Sequence, residues 1–79
     1  MIASLHGIVE RIGEESLIVR VGGIGMEVSV TTGVINQQAE LGREINLVVY
    51  LVVREDALTL YGFSSEEEKT ILERYKSNS

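Results

Sequence analysis

The chain contains no cysteine and a single histidine, and its seven Lys and Arg residues are outnumbered by twelve Asp and Glu. Without cysteine, disulfides and thiolate zinc sites are excluded, so the fold must stand on packing alone. One histidine, His6, cannot build a histidine metal centre. It sits between Leu5 and Gly7 in an apparent strand and reads as a structural or surface residue. Long apolar runs are also missing. The longest, Ile45 to Val53, contains Asn46 and is far short of the ~20 residues that span a bilayer. The first residues, "MIASLHGIVERIGEE", lack the basic start and cleavage site of a signal peptide, which makes the cytoplasm the expected compartment.

Scarcity of basic residues bears on partners. Protein affinity for nucleic acid rests largely on Lys and Arg neutralising phosphates, and this chain carries a net charge of −5 with no basic cluster. Any work on DNA or RNA must draw most of its attraction from elsewhere. What is present is ordinary for a folded domain: 44% hydrophobic and 24% charged residues in 79, enough for one small core with a short appendage.

The first 63 residues read as strands punctuated by glycine. Ile2 to Ile12 is apolar-rich with Gly7 inside it, which predicts a bend or bulge where a sheet curls. "GEES" is a turn, Leu17 to Val21 a second strand, "GGIG" (Gly22 to Gly25) a loop, and Met26 to Val30 a third strand with Glu27 and Ser29 outward. The glycine loop is no phosphate cradle, because no Lys-Ser/Thr follows it and a strand, not a helix, comes next. Thr31 to Gly42 is polar, with room for one short helix. "REINLVVYLVV" then forms the longest expected strand, with Ile45, Leu47, Val49, Leu51 and Val53 on one face and Asn46, Val48, Tyr50 and Val52 on the other. A strand apolar on both faces is usually covered on both. "ALTLYGF" completes the sheet.

From Ser64 the pattern changes. Ser65 stands three residues before Glu68, a capping box, with acids in the first turn where the helix dipole favours them. Ile71, Leu72 and Tyr75 line one face of this expected helix. The fold class that follows is all-β, a five-stranded OB-fold barrel, closed or partly open, over residues 1–63, followed by a short C-terminal α-helix over 64–79. The OB-fold is favoured because its third and fourth strands are joined by a longer connection that often holds a helix.

Arg54, Glu55 and Asp56 interrupt two apolar runs in "LVVREDALTLYGF". Charged residues at an exposed hairpin tip often do nothing. A metal site lacks the further ligands that a hard cation wants. Paired-acid hydrolysis is weaker still, since neighbours in a turn seldom face each other across a bond. No catalytic residue, metal or cofactor is expected.

"VVREDALTLYGF" resembles the signature of the RuvA family, and "MIASLHGIV", "VGGIGMEV" and "SSEEEKTILERYKSNS" resemble it in the same register. The resemblance implies a non-catalytic subunit of an ATP-driven branch migration complex, acting in recombination, DNA repair and the SOS response. Such proteins are cytoplasmic homotetramers that bind four-way junction DNA and recruit a RuvB-type ATPase. It also implies that this chain is the first of three domains. The helix-hairpin-helix domain that grips phosphates and the C-terminal domain that contacts the motor lie outside it, and residues 64–79 are the linker helix that begins the second. Carried over residue by residue, the family's acidic pin falls on Glu55 and Asp56, four such pairs surrounding one axis in a tetramer. Arg54 flanks them as a possible DNA contact or structural residue. The alternative is an OB-like interaction or oligomerisation module without direct nucleic-acid contact, using Val48, Tyr50 and Val52.

Overall fold

The computed structural model describes residues 2–64, and the helix expected over 64–79 lies, but for Ser64, outside them. Five strands and one helix follow in order: β1 (Ile2–Ile12), β2 (Ser16–Val21), β3 (Ile24–Ser29), α1 (Thr32–Gln38), β4 (Glu44–Val53) and β5 (Leu58–Phe63). They close into a barrel in the order β1-β2-β3-β5-β4, with β4 returning to β1. This is an OB-fold, and it is closed. The seam is narrow: β3 and β5 run parallel and pair only at Ser29↔Tyr61.

β1 makes closure possible by serving two neighbours. Its first part, Ile2 to Ile8, pairs with β4, and its second part, Ile8 to Ile12, pairs with β2. At the changeover lies Gly7. A Cβ there would stand 2.5 Å from the Arg20 carbonyl oxygen and 2.7 Å from Val19 Cγ1, so no larger residue fits while β2 crosses this closely. What Gly7 provides is space for the crossing strand. The bulge itself falls three residues on, where the register shifts between Val9 and Arg11. The backbone on either side is pinned, Val9 N–H donating to the Arg43 carbonyl and Gly42 N–H donating to that of Val9.

The β2–β3 loop is tighter than its sequence suggests. Val21 pairs with Ile24, leaving only Gly22 and Gly23 in the turn, while Ile24 and Gly25 belong to the strand. Gly22 takes φ +63° and Gly23 does not take a positive φ, the pattern of a II′ turn whose twist matches that of the strands it joins. In the polar stretch that follows, Thr31 caps α1 by accepting from Val34 N–H. The helix sets Val34 into the core, with Ile35 and Ala39 packed against it.

Alternation fills the interior. Leu5 and Val9 from β1, Leu17 and Val19 from β2, Val28 from β3 and Ile45, Leu47 and Val49 from β4 are all buried, joined by Val30 and Val34. Burying each such side chain contributes about 1.5–3 kcal/mol. β5 supplies a hole in place of a side chain: a Cβ at Gly62 would sit 2.6 Å from Val28 Cγ1 and 3.1 Å from Leu47 Cδ1. The glycine of "YGF" is thus a packing requirement. β4, expected to be the longest strand, has 10 residues against 11 in β1.

Candidate nucleic-acid interface

The inward face of β4 does not stay inward. Ile45, Leu47 and Val49 are buried and Leu51 is half-buried, but Val53 is 68% exposed. The reason is pairing. β1 follows β4 only as far as Ile2↔Tyr50, and β3 meets β5 only at Tyr61, whereas β4 and β5 continue together through Val52↔Thr59 to Val53↔Leu58. Beyond Tyr50 and Tyr61 the two strands pair only with each other among the described residues. Three further residue pairs at ~3.4 Å each carry this arm about 10 Å past the barrel.

At its end the Arg54 N–H donates to the Ala57 carbonyl, which leaves Glu55 and Asp56 at the apex. Both are exposed, and neither takes a positive φ, so the tip is not one of the primed two-residue turns that glycine permits. Among the described residues, neither carboxylate has a hydrogen bond or ion pair, and Arg54 has no acidic partner. Two other arginines do have one: Arg20 lies 4.0 Å from Glu10 and Arg43 lies 3.3 Å from Glu40. The structure therefore puts the sequence-singled triplet at one projecting point, with neither acid hydrogen-bonded or ion-paired among the described residues.

The remaining candidates sit elsewhere. His6 is exposed on β1, its Nδ1 hydrogen-bonded to Asn46 Oδ1 on β4. The outward face of β4 and β5 carries Val48, Tyr50 and Val52 with Tyr61 and Phe63, all half-buried. Tyr50 and Phe63 meet edge to face at 5.4 Å and 81°, an arrangement worth about 0.5–1.5 kcal/mol beyond area alone. A groove of about 200 Å³ runs between Tyr50, Val52, Tyr61 and Phe63, and the Tyr50 hydroxyl is buried without a hydrogen-bond partner among the described residues. A larger groove of about 450 Å³ lies at the β3–β5 seam beside Glu15, Ser29 and Thr32. Its described lining holds one carboxylate, that of Glu15, and no histidine. Sequence reading missed Tyr61 and Phe63 as partners of this outer face, and it missed the exposure of Leu58, 71%, opposite Val53. Each was available in principle from the register of the β4–β5 hairpin.

The chain is a closed OB barrel whose fourth and fifth strands overrun it and end in two acids that are unpaired among the described residues; OB-folds that bind oligonucleotides or oligosaccharides use the loop joining those strands. Over residues 1–62 the sequence matches the family described as RuvA N terminal domain, and the chain belongs to that family. It is 43% identical over 74 residues to a Holliday junction branch migration complex subunit RuvA from Chloroflexus aurantiacus, covering 94% of this chain and 38% of that protein. The subunit of that name from Streptomyces avermitilis is 44% identical over 73 residues, covering 92% of this chain and 36% of the relative. The one from Solibacter usitatus is 38% identical over 74 residues, covering 94% and 38%. The chain thus spans less than two fifths of the length of these relatives.

Proposed function

We propose that the chain is the N-terminal OB-fold domain of a Holliday junction branch migration subunit, with Glu55 and Asp56 as a pin that guides strands at the crossover. Residues 1–63 form that domain, and 64–79 lead into a second one that grips DNA phosphates. Four subunits surround the junction and bring a RuvB-type ATPase to its arms, in the cytoplasm, during recombination and repair. One observation carries the reading: in a member of the RuvA N-terminal family, two unpaired carboxylates stand at the apex of an arm that leaves the barrel by about 10 Å.

Magnitudes restrict what such a pin does. Two unit charges 4 Å apart interact by about 1 kcal/mol in water and several times that where water is thinned out. A DNA stacking step is worth about 1.4 kcal/mol on average. Repulsion between the pin and phosphates can oppose one or two base pairs at the crossover and cannot unwind an arm. The pin therefore steers strands, and ATP hydrolysis in the partner supplies the work. Arg54, exposed and without an acidic partner among the described residues, is available to a phosphate beside the acids.

The test is the branch migration rate of the full-length subunit with its ATPase, and its preference for four-way junctions over linear duplex, in Glu55→Gln with Asp56→Asn. The pin reading expects an altered rate or a weakened junction preference. Both unchanged would overturn it. The isolated chain, at net charge −5, is expected to bind junctions weakly at physiological salt, and a tight, salt-resistant affinity would overturn the charge argument.

The outward apolar groove, with a Tyr50 hydroxyl that is buried and has no partner among the described residues, favours a second role, as a protein-interaction face. If that role stood alone, Tyr50→Ala would change the state of assembly while the acid variants left every DNA property intact.

A further inference from the structure

The arm has a second chemical feature besides its acids. Val53 and Leu58 pair directly across the two strands and are 68% and 71% exposed, the highest exposures among the large apolar residues described. Single exposed apolar side chains are unremarkable on any surface. This pair differs because it is contiguous. It continues the barrel's inward face through Leu51 and Leu60, and among the described residues no strand follows the arm far enough to cover it. It stands two residues behind Glu55 and Asp56, about 7 Å at strand rise. The arm is thus apolar on its shoulders and anionic at its apex.

A polynucleotide strand presents the opposite pairing of surfaces, with anionic phosphates outside and flat, neutral bases inside. Apolar side chains such as Leu and Ile, entering between base steps, hold bases apart in other protein–DNA complexes. We propose that Val53 and Leu58 form an apolar wedge that receives bases released from pairing at the crossover, while Glu55 and Asp56 turn the phosphates away. This assignment rests on the junction-binding reading and adds to it the surface that the separated bases touch. Repulsion alone would part the strands and leave their bases in water. The wedge gives each base an apolar surface until it meets its new partner.

The experiment places 2-aminopurine at the centre of a four-way junction and records its fluorescence on binding the full-length subunit, alongside branch migration with the ATPase. Three proteins are compared: the natural sequence, Val53→Thr with Leu58→Thr, and Glu55→Gln with Asp56→Asn. Threonine keeps strand propensity at both exposed positions, and circular dichroism checks the fold. The wedge expects the double threonine variant to bind junctions more weakly than the natural sequence, by no more than about fivefold. Its fluorescence change on binding should be smaller and its migration slower by about fivefold, the effect of losing part of one unstacking contact. Should the double variant misfold, Leu58→Thr alone is read by the same outcomes. Natural fluorescence and rate in the threonine variant would overturn the wedge. If the acid variant is still impaired in that case, the pin reading survives; if it too is natural, both fall. A threonine variant whose assembly state changes in light scattering would also overturn the wedge, since the pair would then be a contact between subunits.

Discussion

The barrel and its arm are built from the same two strands and obey opposite rules. Within the barrel, β4 buries Ile45, Leu47 and Val49, and β5 gives up a side chain at Gly62 so that Val28 and Leu47 can close over it. Four residues further on, the same alternation puts Val53 and Leu58 into solvent, and the hairpin ends in two acids that are unpaired among the described residues. Alternation alone is not burial. It decides which way a side chain points, and neighbouring strands decide whether anything is there to meet it. Where β1 and β3 stop following, the hairpin ceases to be core and projects into solvent.

The largest effects should come from the barrel. Leu17 is 1% exposed, and Leu17→Ala should cost about 2–5 kcal/mol, a large share of what so small a domain has, read as a drop in the urea midpoint. A loss below about 1 kcal/mol would mean that the core collapses around the gap and that the barrel is looser than its burial suggests. Gly7→Ala should come next, at about 1–3 kcal/mol, because the added methyl meets the Arg20 backbone carbonyl, which cannot rotate away. Gly62→Ala belongs in the same range, its nearest neighbours being side chains, Val28 and Leu47, that have some freedom to give. If Gly62→Ala proved the more costly, the seam and not the β1 crossing would be the stiffer part of the barrel.

These two glycines mark the limit of what was legible in the sequence. Five strands, their order along the chain, the short helix and the charged tip could be read from alternation, glycine and polar breaks. Gly7 announced a bend, yet nothing in one sequence says that Arg20 lies against it, since that contact joins strands brought together only by closure. The β3–β5 seam was equally silent: one parallel pair, Ser29↔Tyr61, carries no local pattern. Val53 misled for a related reason. It continues the apolar face of Ile45, Leu47 and Val49, and its exposure depends on where β1 runs out. The candidate site was legible as residues and not as a projection. The acids could be singled out at a turn, while the arm that carries them clear of the barrel is a property of pairing.

The arm should tolerate what the barrel cannot. Val53→Thr with Leu58→Thr exchanges two exposed apolar groups and should shift stability by no more than about 0.5 kcal/mol, as is usual for surface positions. A larger loss would mean that the arm's apolar shoulders are packed against something in solution, and the contrast between the two regions would narrow.

The smallest expected effect is the most informative. Glu55→Gln with Asp56→Asn takes the net charge from −5 to −3, since two acids become neutral amides of the same shape. Neither carboxylate accepts a hydrogen bond or faces a cation among the described residues, so the folded chain loses no contact, and two like charges side by side are relieved of their repulsion. Stability should therefore stay within about 0.5 kcal/mol of the natural sequence or rise slightly, and added salt should shrink any rise because exposed charges are screened. That null result gives the functional test its meaning. If neutralisation leaves the fold untouched and yet alters strand exchange, the acids act through their charge on DNA. If it costs more than about 1 kcal/mol, they hold the hairpin tip together, and any change in branch migration follows from a weakened arm.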